Sequence, residues 1–340
     1  MAKFTYMILL VVMALLGACQ SLGEVDKSPV ADASPPLVIL VHGGAGSVGP
    51  KGMSKKDQAA YRAALGLALD TGYAVLAKGG RSLDAVQAAI VTMENNPLFN
   101  AGKGAVFTAE GKNELDSSIM DGRNRNAGAV AGVTIVKNPI LAARAVMDKS
   151  PHVMMARDGA EAFAKEQGLD IVPPSYFFTQ KRWDQLERAR ARAKAKAALP
   201  ASSHFGTVGA VALDADGHIA AGTSTGGMTY KRFGRIGDSP IIGAGTYASD
   251  LSCAVSATGW GEFFIRGTAA RDICARVQWN HDDIQEAADL VLADLEDMGG
   301  TGGVLALTPK GTYAFSFTTQ MMFRGVKTAD RNDVYIFGDE

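Results

Sequence analysis

The sequence Gly206-Thr207-Val208-Gly209-Ala210-Val211-Ala212-Leu213 decides how the rest of the chain is interpreted. It joins a polar segment to a β-branched, alternating stretch that is typical of a strand. In the simplest interpretation, Gly206-Thr207 is only a turn at the start of that strand. In the second, the Gly206–Thr207 bond is a processing site, and Thr207 becomes an N-terminal nucleophile whose own free α-amine serves as the general base. The surrounding sequence favours the second interpretation.

A basic segment lies immediately before this stretch. Residues 181–196 are crowded with Arg, Lys and Ala, and Pro200-Ala201-Ser202-Ser203 follows. A basic run can bind nucleic acid, but no series of aromatic residues is interleaved here, and the whole chain has a formal net charge of −1. We therefore expect no nucleic-acid partner. We interpret residues 177–206 as a variable linker, in which a solvated helix ends in a disordered junction accessible to cleavage.

The segments after Thr207 bring further hydroxyl groups toward it. Residues 208–213 and 218–224 flank a four-residue turn and predict a β-hairpin. Because the second strand runs back along the first, Thr225 is expected near Thr207. Further on, Ser256-Ala257-Thr258-Gly259-Trp260-Gly261-Glu262 ends a strand and opens a helix, so it offers a hydroxyl and backbone N–H groups suited to an oxyanion.

The loop Gly234-Arg235-Ile236-Gly237-Asp238 places a cation and an anion three residues apart between glycines. These charges complement the carboxylate and ammonium groups of an amino-acid substrate. The alternative is a mutual salt bridge between Arg235 and Asp238 at the surface, which would contribute little to stability.

Two other classes of protein compete with this interpretation. Gly222-Thr223-Ser224-Thr225-Gly226 matches the nucleophile elbow of serine esterases, with His42-Gly43-Gly44 as an oxyanion loop. However, an elbow leads directly into a helix, whereas Gly226-Gly227-Met228-Thr229 continues as a loop, and only His281 follows the serine. A noncatalytic envelope lipoprotein that binds amino acids or peptides is the alternative from a different class.

The predicted helices and strands come in blocks, which favours sheets stacked between helix layers over a doubly wound parallel sheet. Ser54 and Ser82 are the predicted N-caps of the first two helices. Predicted helices cover residues 54–76, 83–93, 140–147, 159–167, 181–196, 261–277 and 283–298. Predicted strands cover residues 37–41, 105–108, 114–120, 128–136, 208–213, 218–224, 241–248, 251–257, 302–307 and 312–317.

The first residues of the chain form a separate unit. Met7 to Leu16 is an apolar run too short to span a bilayer comfortably, and Leu16-Gly17-Ala18-Cys19 resembles a lipobox. We interpret residues 1–18 as a lipoprotein signal peptide, Cys19 as the lipidated mature N-terminus, and residues 19–36 as a flexible tether. A plain secretory signal, or a buried apolar stretch in a cytosolic protein, is the alternative.

The residues after and beyond the lipobox add two expectations. Gln20 resembles the pattern for outer-membrane sorting, which predicts a lipid anchor at the periplasmic face of the outer membrane of a Gram-negative bacterium. The other two cysteines, Cys253 and Cys274, fall in a predicted strand and a predicted helix. We interpret both as buried free thiols, and no CxxC pair or Cys/His cluster suggests zinc.

Six motifs lie within residues 37–340, outside the linker, and their order along the chain is informative. They are His42-Gly43-Gly44-Ala45-Gly46, Pro97-Leu98-Phe99-Asn100-Ala101-Gly102, Thr207-Val208-Gly209-Ala210-Val211, Thr223-Ser224-Thr225-Gly226-Gly227, Gly234-Arg235-Ile236-Gly237-Asp238 and Thr258-Gly259-Trp260-Gly261-Glu262. In this order they resemble the plant-type asparaginases, also called isoaspartyl peptidases, which are N-terminal-nucleophile (Ntn) hydrolases.

This resemblance implies a fold, a maturation step and an activity. The implied fold class is α/β, with the four-layer αββα sandwich of the Ntn hydrolases. Autocleavage would give an α subunit (37–206) and a β subunit (207–340), which would assemble as an (αβ)₂ heterotetramer. The substrates would be β-aspartyl dipeptides and L-asparagine, without preference between them being set by the sequence. A glycosylasparaginase is the nearest alternative within the resemblance.

The resemblance also implies catalytic roles. Thr207 would be the nucleophile, freed by cleavage after Gly206, and Thr225 would hydrogen-bond to it and help to activate it. Thr258 and the N–H of Gly259 would form the oxyanion hole. No cofactor would be needed for catalysis.

Substrate binding would use the same end of the chain. Arg235 would hold the α-carboxylate of the substrate, and Asp238 with Gly261 would hold its α-amine, beside Gly259. Trp260 fills a variable position between two glycines and is expected to alter the pocket. Thr318-Thr319-Gln320-Met321-Met322 departs from the pattern of the family and is expected to affect the entrance or the dimer surface.

A structural sodium ion is the last implication of the resemblance. The loop 93–103 resembles the family's sodium-binding loop, in which mainly backbone carbonyls coordinate the ion. Glu94 and Asn100 are the side chains associated with this loop. The residues expected to bind the ion are Met93, Glu94, Asn96, Phe99, Ala101 and Lys103.

Overall fold

The structure is a computed structural model that describes residues 35–195 and 206–340. The predicted signal peptide, the lipidation of Cys19, most of the tether and the linker residues 196–205 therefore lie outside the described residues. Within the described ranges, no helix is both long and apolar enough to cross a membrane.

Two sheets form the centre of the molecule. The larger has eight strands, antiparallel except for the last pair, and the smaller has four antiparallel strands. The larger sheet contains, in spatial order, β12 (Asn332–Phe337), β11 (Met321–Lys327), β1 (Val38–Gly46), β5 (Val208–Leu213), β6 (Ile219–Thr225), β2 (Leu115–Asp121), β3 (Ala127–Val133) and β4 (Met154–Ala156). The smaller sheet contains β10 (Tyr313–Phe317), β9 (Gly302–Leu307), β8 (Ala254–Gly259) and β7 (Thr246–Ala248).

Helices cover the outer faces of both sheets. Those on the larger sheet are α1 (Lys55–Ala77), α2 (Ser82–Glu94), α3 (Pro139–Lys149) and α4 (Arg157–Glu166), and those on the smaller sheet are α7 (Ala269–Ala275) and α8 (Ile284–Asp297). Strands β1, β5 and β6 face β8 and β9 across the interior. Because β1 and β5 are buried on both faces, they are nearly continuous in apolar residues. The predicted four-layer αββα sandwich is confirmed.

Local signals explain where the first two helices begin. The side chain of Ser54 accepts a hydrogen bond from the N–H of Asp57, as predicted for the cap of α1. Ser82 was expected to cap α2 in the same way, which is wrong. Its own N–H instead donates to the Asp214 carboxylate at 2.9 Å, so the cap comes from the hairpin after β5.

Several predicted boundaries are wrong because tertiary packing overrides the local pattern. Residues 105–108 form no strand, and the predicted strand 241–248 is reduced to β7. The predicted helix 261–277 breaks at Thr268, which has φ of 46°, into α6 (Gly261–Gly267) and α7, followed by a π-helical turn. Strands β11 and β12 were not predicted, although β11 pairs with β1 and β12 forms one edge of the larger sheet.

The basic helix before Thr207 is confirmed as α5 (Gln180–Lys194). It is not solvated on all sides, however, because one face packs on the body of the protein through Leu186. Arg182 donates through Nε to the carbonyl of Gly104 at 2.7 Å, and Arg190 donates to that of Ala109 at 2.7 Å.

The prediction of two free thiols is wrong. Cys253 and Cys274 form a disulfide, with their Cα atoms 5.2 Å apart. The bond joins the segment before β8 to helix α7, and both cysteines are fully buried. Sequence alone missed it because the two residues become neighbours only when α7 packs on the smaller sheet.

Candidate active site

The predicted site residues meet at one end of the sandwich. Strands β1, β6 and β8 end there, and β5 begins there, because neighbouring antiparallel strands bring opposite ends together. Because side chains alternate between the two faces of a strand, every second residue points into the space between the sheets. This places polar side chains of both sheets in a common, nearly dry region.

Thr207 lies at the entrance to β5 and is buried. Its hydroxyl donates to Oγ1 of Thr225 at 3.1 Å, across the hairpin. The Thr225 hydroxyl also accepts from the N–H of Gly227 at 2.9 Å and lies 3.5 Å from the carbonyl oxygen of Gly206. The hairpin therefore gives Thr225 a fixed orientation beside both Thr207 and the bond before it.

Two glycines allow the backbone to close around the Gly206–Thr207 bond. Gly206 has φ of +147°, and a Cβ there would come within 3.0 Å of the Asn100 side chain. A Cβ on Gly44, whose φ is +114°, would meet the Cα of Gly206 at 2.7 Å. Larger residues at either position would displace the bond, since both conformations disfavour L side chains and neither position has room for one.

Asn100 connects the loop 93–103 to this region. Its Nδ2 donates to the carbonyl of Gly227 at 2.8 Å, and its Oδ1 accepts from the N–H of Val106 at 2.9 Å. The sequence pattern associated this side chain with the 93–103 loop. In the structure it joins that loop to the turn that holds Thr225.

His42 is a buried residue of the site whose role sequence analysis missed. Its Nδ1 lies 2.9 Å from the carbonyl oxygen of Thr207, and its Nε2 lies 2.9 Å from Oγ of Ser256. A carbonyl can only accept, so Nδ1 carries the proton and Nε2 accepts from the serine. Burial lowers the pKa of His42 to about 3, which keeps the ring neutral.

A chain of hydroxyls extends inward from His42. Ser256 lies 2.7 Å from Oγ1 of Thr223, and Thr246 donates to Thr223 at 2.6 Å. Ser118 donates to Thr246 at 2.8 Å. The only sequence signal for this chain was the presence of polar residues within otherwise apolar strands.

Thr258 and Gly259 lie at the end of β8, next to the end of β1. Oγ1 of Thr258 accepts from the N–H of Ala45 at 3.3 Å, so it links the two sheets. A Cβ on Gly259 would come within 2.5 Å of Phe264 and 2.7 Å of the Thr301 carbonyl. The close packing of α6 on β9 therefore requires glycine here.

Arg235 and Asp238 lie together, but they do not form the surface salt bridge considered above. Arg235 instead makes a two-pronged contact with Glu262, at 3.0 Å from Nε and 2.7 Å from Nη2. A Cβ on Gly261 would lie 2.8 Å from both Nη2 of Arg235 and Oδ1 of Asp238. Gly261 thus lets the start of α6 approach both charged groups.

Asp238 is buried in an unusual state. Among the described residues, its Oδ2 is shielded from solvent and has no hydrogen-bond partner. Burial raises the pKa of Asp238 to about 6, although the nearby Arg235 opposes this shift. A buried carboxylate oxygen without a partner is costly to maintain, and it is suited to receive a cationic group of a ligand.

The serine esterase alternative is wrong. Ser224 lies within β6 and donates its hydroxyl to Oε1 of Glu94 at 2.6 Å, on the face covered by α2. The chain continues from β6 into a loop rather than a helix. His281 is exposed in the turn before α8.

Several backbone carbonyls of the loop 93–103 lie close to its glycines. Cβ atoms on Gly102 and Gly104 would overlap the carbonyl oxygens of Glu94 and Phe99, and Gly104 also lies against that of Pro97. The Glu94 carboxylate points elsewhere, since it accepts from Ser224 and from residues at the start of α3. Across the described ranges, no group of three or more His, Cys, Asp or Glu side chains is placed to bind a metal ion.

Comparison with known proteins assigns the family. Residues 35–336 match the model of the family described as Asparaginase. Isoaspartyl peptidase of Escherichia coli strain K12 is 47% identical over 293 residues, covering 84% of this chain and 91% of the relative. Isoaspartyl peptidase/L-asparaginase of mouse is 40% identical and that of human 38%, each over 84% of this chain and over 86% and 91% of the relatives. The chain therefore belongs to this asparaginase family, whose Ntn-hydrolase sandwich it shares.

Proposed function

We propose that the protein is an isoaspartyl peptidase/L-asparaginase, which hydrolyses the β-aspartyl bond of isoaspartyl dipeptides and the side-chain amide of L-asparagine. The single observation that carries this proposal is the placement of Thr207. It lies at the start of β5, with its hydroxyl 3.1 Å from that of Thr225. All three relatives named above have isoaspartyl peptidase in their names, and the mouse and human proteins also have L-asparaginase.

The proposed nucleophile is Oγ1 of Thr207, after cleavage of the bond to Gly206. The freed α-amine would take the hydroxyl proton as the oxygen attacks the β-carbonyl carbon of the substrate. An α-amine has a pKa of about 7.7–8, so a useful fraction is neutral near pH 7. Thr225, held by the N–H of Gly227, would keep the nucleophile oriented.

Attack would place a negative charge on the carbonyl oxygen. The hydroxyl of Thr258 and the N–H of Gly259 would stabilise it, and each such donor contributes about 3 kcal/mol to the transition state. The leaving amine would depart with a proton from the α-ammonium group of Thr207. Water would then hydrolyse the aspartyl ester and release aspartate.

The charged groups of the substrate would bind at the Gly234–Asp238 loop. Oδ2 of Asp238 would accept a hydrogen bond from the α-ammonium group, next to Gly261, and Arg235 would bind the α-carboxylate. Because Glu262 engages Nε and Nη2 of Arg235, the edge of the guanidinium around Nη1 is the one proposed for the substrate. Both L-asparagine and β-aspartyl dipeptides present this aspartyl end.

Maturation would use the same threonine. Oγ1 of Thr207 would attack the Gly206 carbonyl carbon, and an N-to-O acyl shift followed by hydrolysis would leave the α subunit (37–206) and the β subunit (207–340). We further propose that these assemble as an (αβ)₂ heterotetramer. The hydrogen bond of His42 to the Thr207 carbonyl would hold this residue in place during cleavage.

A sodium ion would have a structural role. The carbonyls of Met93, Glu94, Asn96, Phe99, Ala101 and Lys103 would hold it, and oxygen ligands of this kind suit an alkali cation. The ion would fix the loop that carries Asn100, and hence the turn at Gly227. No catalytic step depends on it.

The envelope is the proposed location, through the lipidated Cys19. The disulfide between Cys253 and Cys274 supports this proposal, because disulfides persist in oxidising compartments such as the periplasm. Labelling with a radioactive fatty acid, followed by cell fractionation, would test it. A Cys19→Ala variant should then lose both the label and the association with the membrane.

Intact-mass spectrometry and activity assays test the proposed function. Wild-type protein should separate into two fragments, the smaller beginning at Thr207, and should release aspartate from β-aspartyl dipeptides. A Thr207→Ala variant should remain a single inactive chain, whereas Thr71→Ala, at a half-buried position of α1, should behave as wild type. Normal cleavage and turnover by Thr207→Ala would disprove the assignment.

The remaining alternatives predict different results in the same preparation. A glycosylasparaginase would turn over N-acetylglucosaminyl-asparagine faster than β-aspartyl dipeptides. A noncatalytic binding lipoprotein would give saturable calorimetric binding of β-aspartyl dipeptides without product.

A further inference from the structure

A buried lysine next to the proposed site has no role in the mechanism above. The side chain of Lys231 is 1% exposed, and its ammonium donates to the carbonyl of Glu114 at 2.9 Å. Two carboxylates lie nearby, that of Glu114 at 3.8 Å and that of Asp116 at 4.0 Å. Burying an ammonium group is costly, so a charge in this place requires a reason.

Lys231 borders the turn that orients Thr225. A Cβ on Gly227 would lie 3.1 Å from Nζ of Lys231 and 3.6 Å from Nη1 of Arg235. The same glycine donates its N–H to Thr225 and accepts at its carbonyl from Asn100. Two cations therefore lie against one residue, which supports the nucleophile's partner on one side and the proposed carboxylate-binding group on the other.

Asp116 completes the cluster from the neighbouring strand. It pairs with Thr225 in the register of β2 and β6 and is fully buried. Its Oδ1 accepts from the N–H of Gly132 at 2.8 Å, while Oδ2 has no hydrogen-bond partner in the described part of the chain. The negative charge of Asp116 is thus balanced mainly through space, by Lys231 and by the more distant Arg235.

We propose that Lys231 and Asp116 form a buried ion pair that positions both the Gly227 turn and Arg235, and so couples the setting of the nucleophile to substrate binding. Lys231 is a positioning residue, since it acts through Gly227 and Arg235 rather than on the substrate. This inference rests on the proposed function, because the roles of Thr225 and Arg235 belong to it.

The ion pair has two separable effects. Sterically, the lysine side chain fills the space against Gly227 and limits how far the turn and Nη1 of Arg235 can move. Electrostatically, its charge offsets that of Asp116, which would otherwise oppose the α-carboxylate of a substrate at Arg235. Loss of the first slows chemistry at Thr207, and loss of the second weakens substrate binding.

The decisive variant is Lys231→Met, which removes the charge together with the terminal group that lies against Gly227 and is anchored at the Glu114 carbonyl. We expect precursor cleavage to slow at least tenfold and the KM for a β-aspartyl dipeptide to rise at least tenfold. The matched control is Arg232→Met, which removes one positive charge from the adjacent, exposed position. It should leave both quantities within threefold of wild type.

A double variant separates positioning from general damage to the fold. In Lys231→Met/Asp116→Asn the fully buried charge of Asp116 is removed together with its partner, and only the partly exposed Glu114 carboxylate loses a neighbouring cation. KM should therefore return to within about threefold of wild type, while precursor cleavage stays at least tenfold slow. If Lys231 had a purely structural role, neither the cleavage rate nor the KM of the folded protein would change. If neither Lys231→Met nor the double variant folds, Lys231→Arg tests the proposal instead. Its larger head group should displace Gly227 and slow precursor cleavage at least threefold.

Two outcomes overturn the proposal. One is a folded Lys231→Met protein whose cleavage rate and KM both match those of Arg232→Met. The other is a Lys231→Arg protein that cleaves its precursor at the wild-type rate, when Lys231→Met and the double variant do not fold. Wild-type protein that neither cleaves nor hydrolyses the dipeptide would instead disprove the proposed function, so the two failures are distinguishable.

Discussion

Glu94 and Asp238 are both buried carboxylates with raised pKa values, yet they have opposite surroundings. Glu94, at the end of α2, receives hydrogen bonds from Ser224, from Asn138 and from the N–H of Ile140, at 2.6 to 3.0 Å. Asp238, in the loop after β6, has an oxygen that is shielded from solvent and lacks a partner among the described residues. Burial raises the pKa of the first to about 7 and that of the second to about 6.

The difference distinguishes a structural carboxylate from the one that we propose binds a ligand. The donors around Glu94 hold together α2, α3 and β6, so its charge is already used within the fold. The missing donor at Asp238 is a place that a substrate ammonium group would fill. Burial and pKa alone would not separate the two residues, whereas the count of satisfied oxygens does.

The largest effect is expected from Asp238→Asn. The substrate ammonium group would lose its buried counter-charge, so kcat/KM for L-asparagine should fall at least a hundred-fold, or about 3 kcal/mol. The melting temperature at pH 8 should be unchanged or higher. The pKa of Asp238 in the folded state lies above its unfolded value, so the free energy of unfolding of the protein falls as pH rises through about 6 and the carboxyl ionises. The amide does not ionise and avoids this loss. A stable variant with wild-type kinetics would contradict the assignment.

Glu94→Ala should show the converse. It leaves three buried donors without an acceptor and removes side-chain packing, so the free energy of unfolding should fall by about 3 kcal/mol in urea titrations. Activity per folded molecule should fall less than tenfold. A variant of normal stability that has lost activity would reverse the comparison between the two carboxylates.

Acidification should affect the site at Asp238 without any mutation. With a pKa of about 6, this carboxyl is about nine-tenths protonated at pH 5, so the KM for L-asparagine should be about tenfold higher than at pH 7.5. The α-amine of Thr207 should lower kcat, rather than raise KM, as pH falls below about 8. Initial rates between pH 5 and pH 8 separate the two, and a constant KM would argue against Asp238 as the ammonium ligand.

The smallest effect is expected at an exposed carboxylate. Asp170 pairs with Lys137 at 3.0 Å, but its side chain is 72% exposed. Asp170→Asn should leave kcat/KM within twofold and the melting temperature within about 1 °C. Differential scanning calorimetry checks this. A larger shift would mean that the exposed fraction of a carboxylate does not predict its contribution to stability.

The site was partly predictable because several of its residues sit in short, ordered motifs. The hairpin predicted that Thr225 would return to Thr207, and the two hydroxyls are 3.1 Å apart. The Gly234–Asp238 loop likewise placed Arg235 and Asp238 together. These inferences needed only local chain geometry and residue chemistry.

Other parts depended on contacts between residues distant in sequence. His42 meets Ser256 across 214 residues, and Arg235 pairs with Glu262 rather than with its neighbour Asp238. The disulfide between Cys253 and Cys274 was missed for the same reason. No periodicity or spacing in the sequence encodes which of two compatible partners is nearer.

The sequence by itself determined the order of the strands and helices in outline, the layered fold class and the motifs that identify the family. Local propensity and alternation are properties of neighbouring residues, so the sequence states them directly. Only the tertiary structure decided which buried charges are satisfied. It did so because Glu94 and Asp238 meet donors, or fail to meet them, according to how α3, α6 and the sheets pack around them.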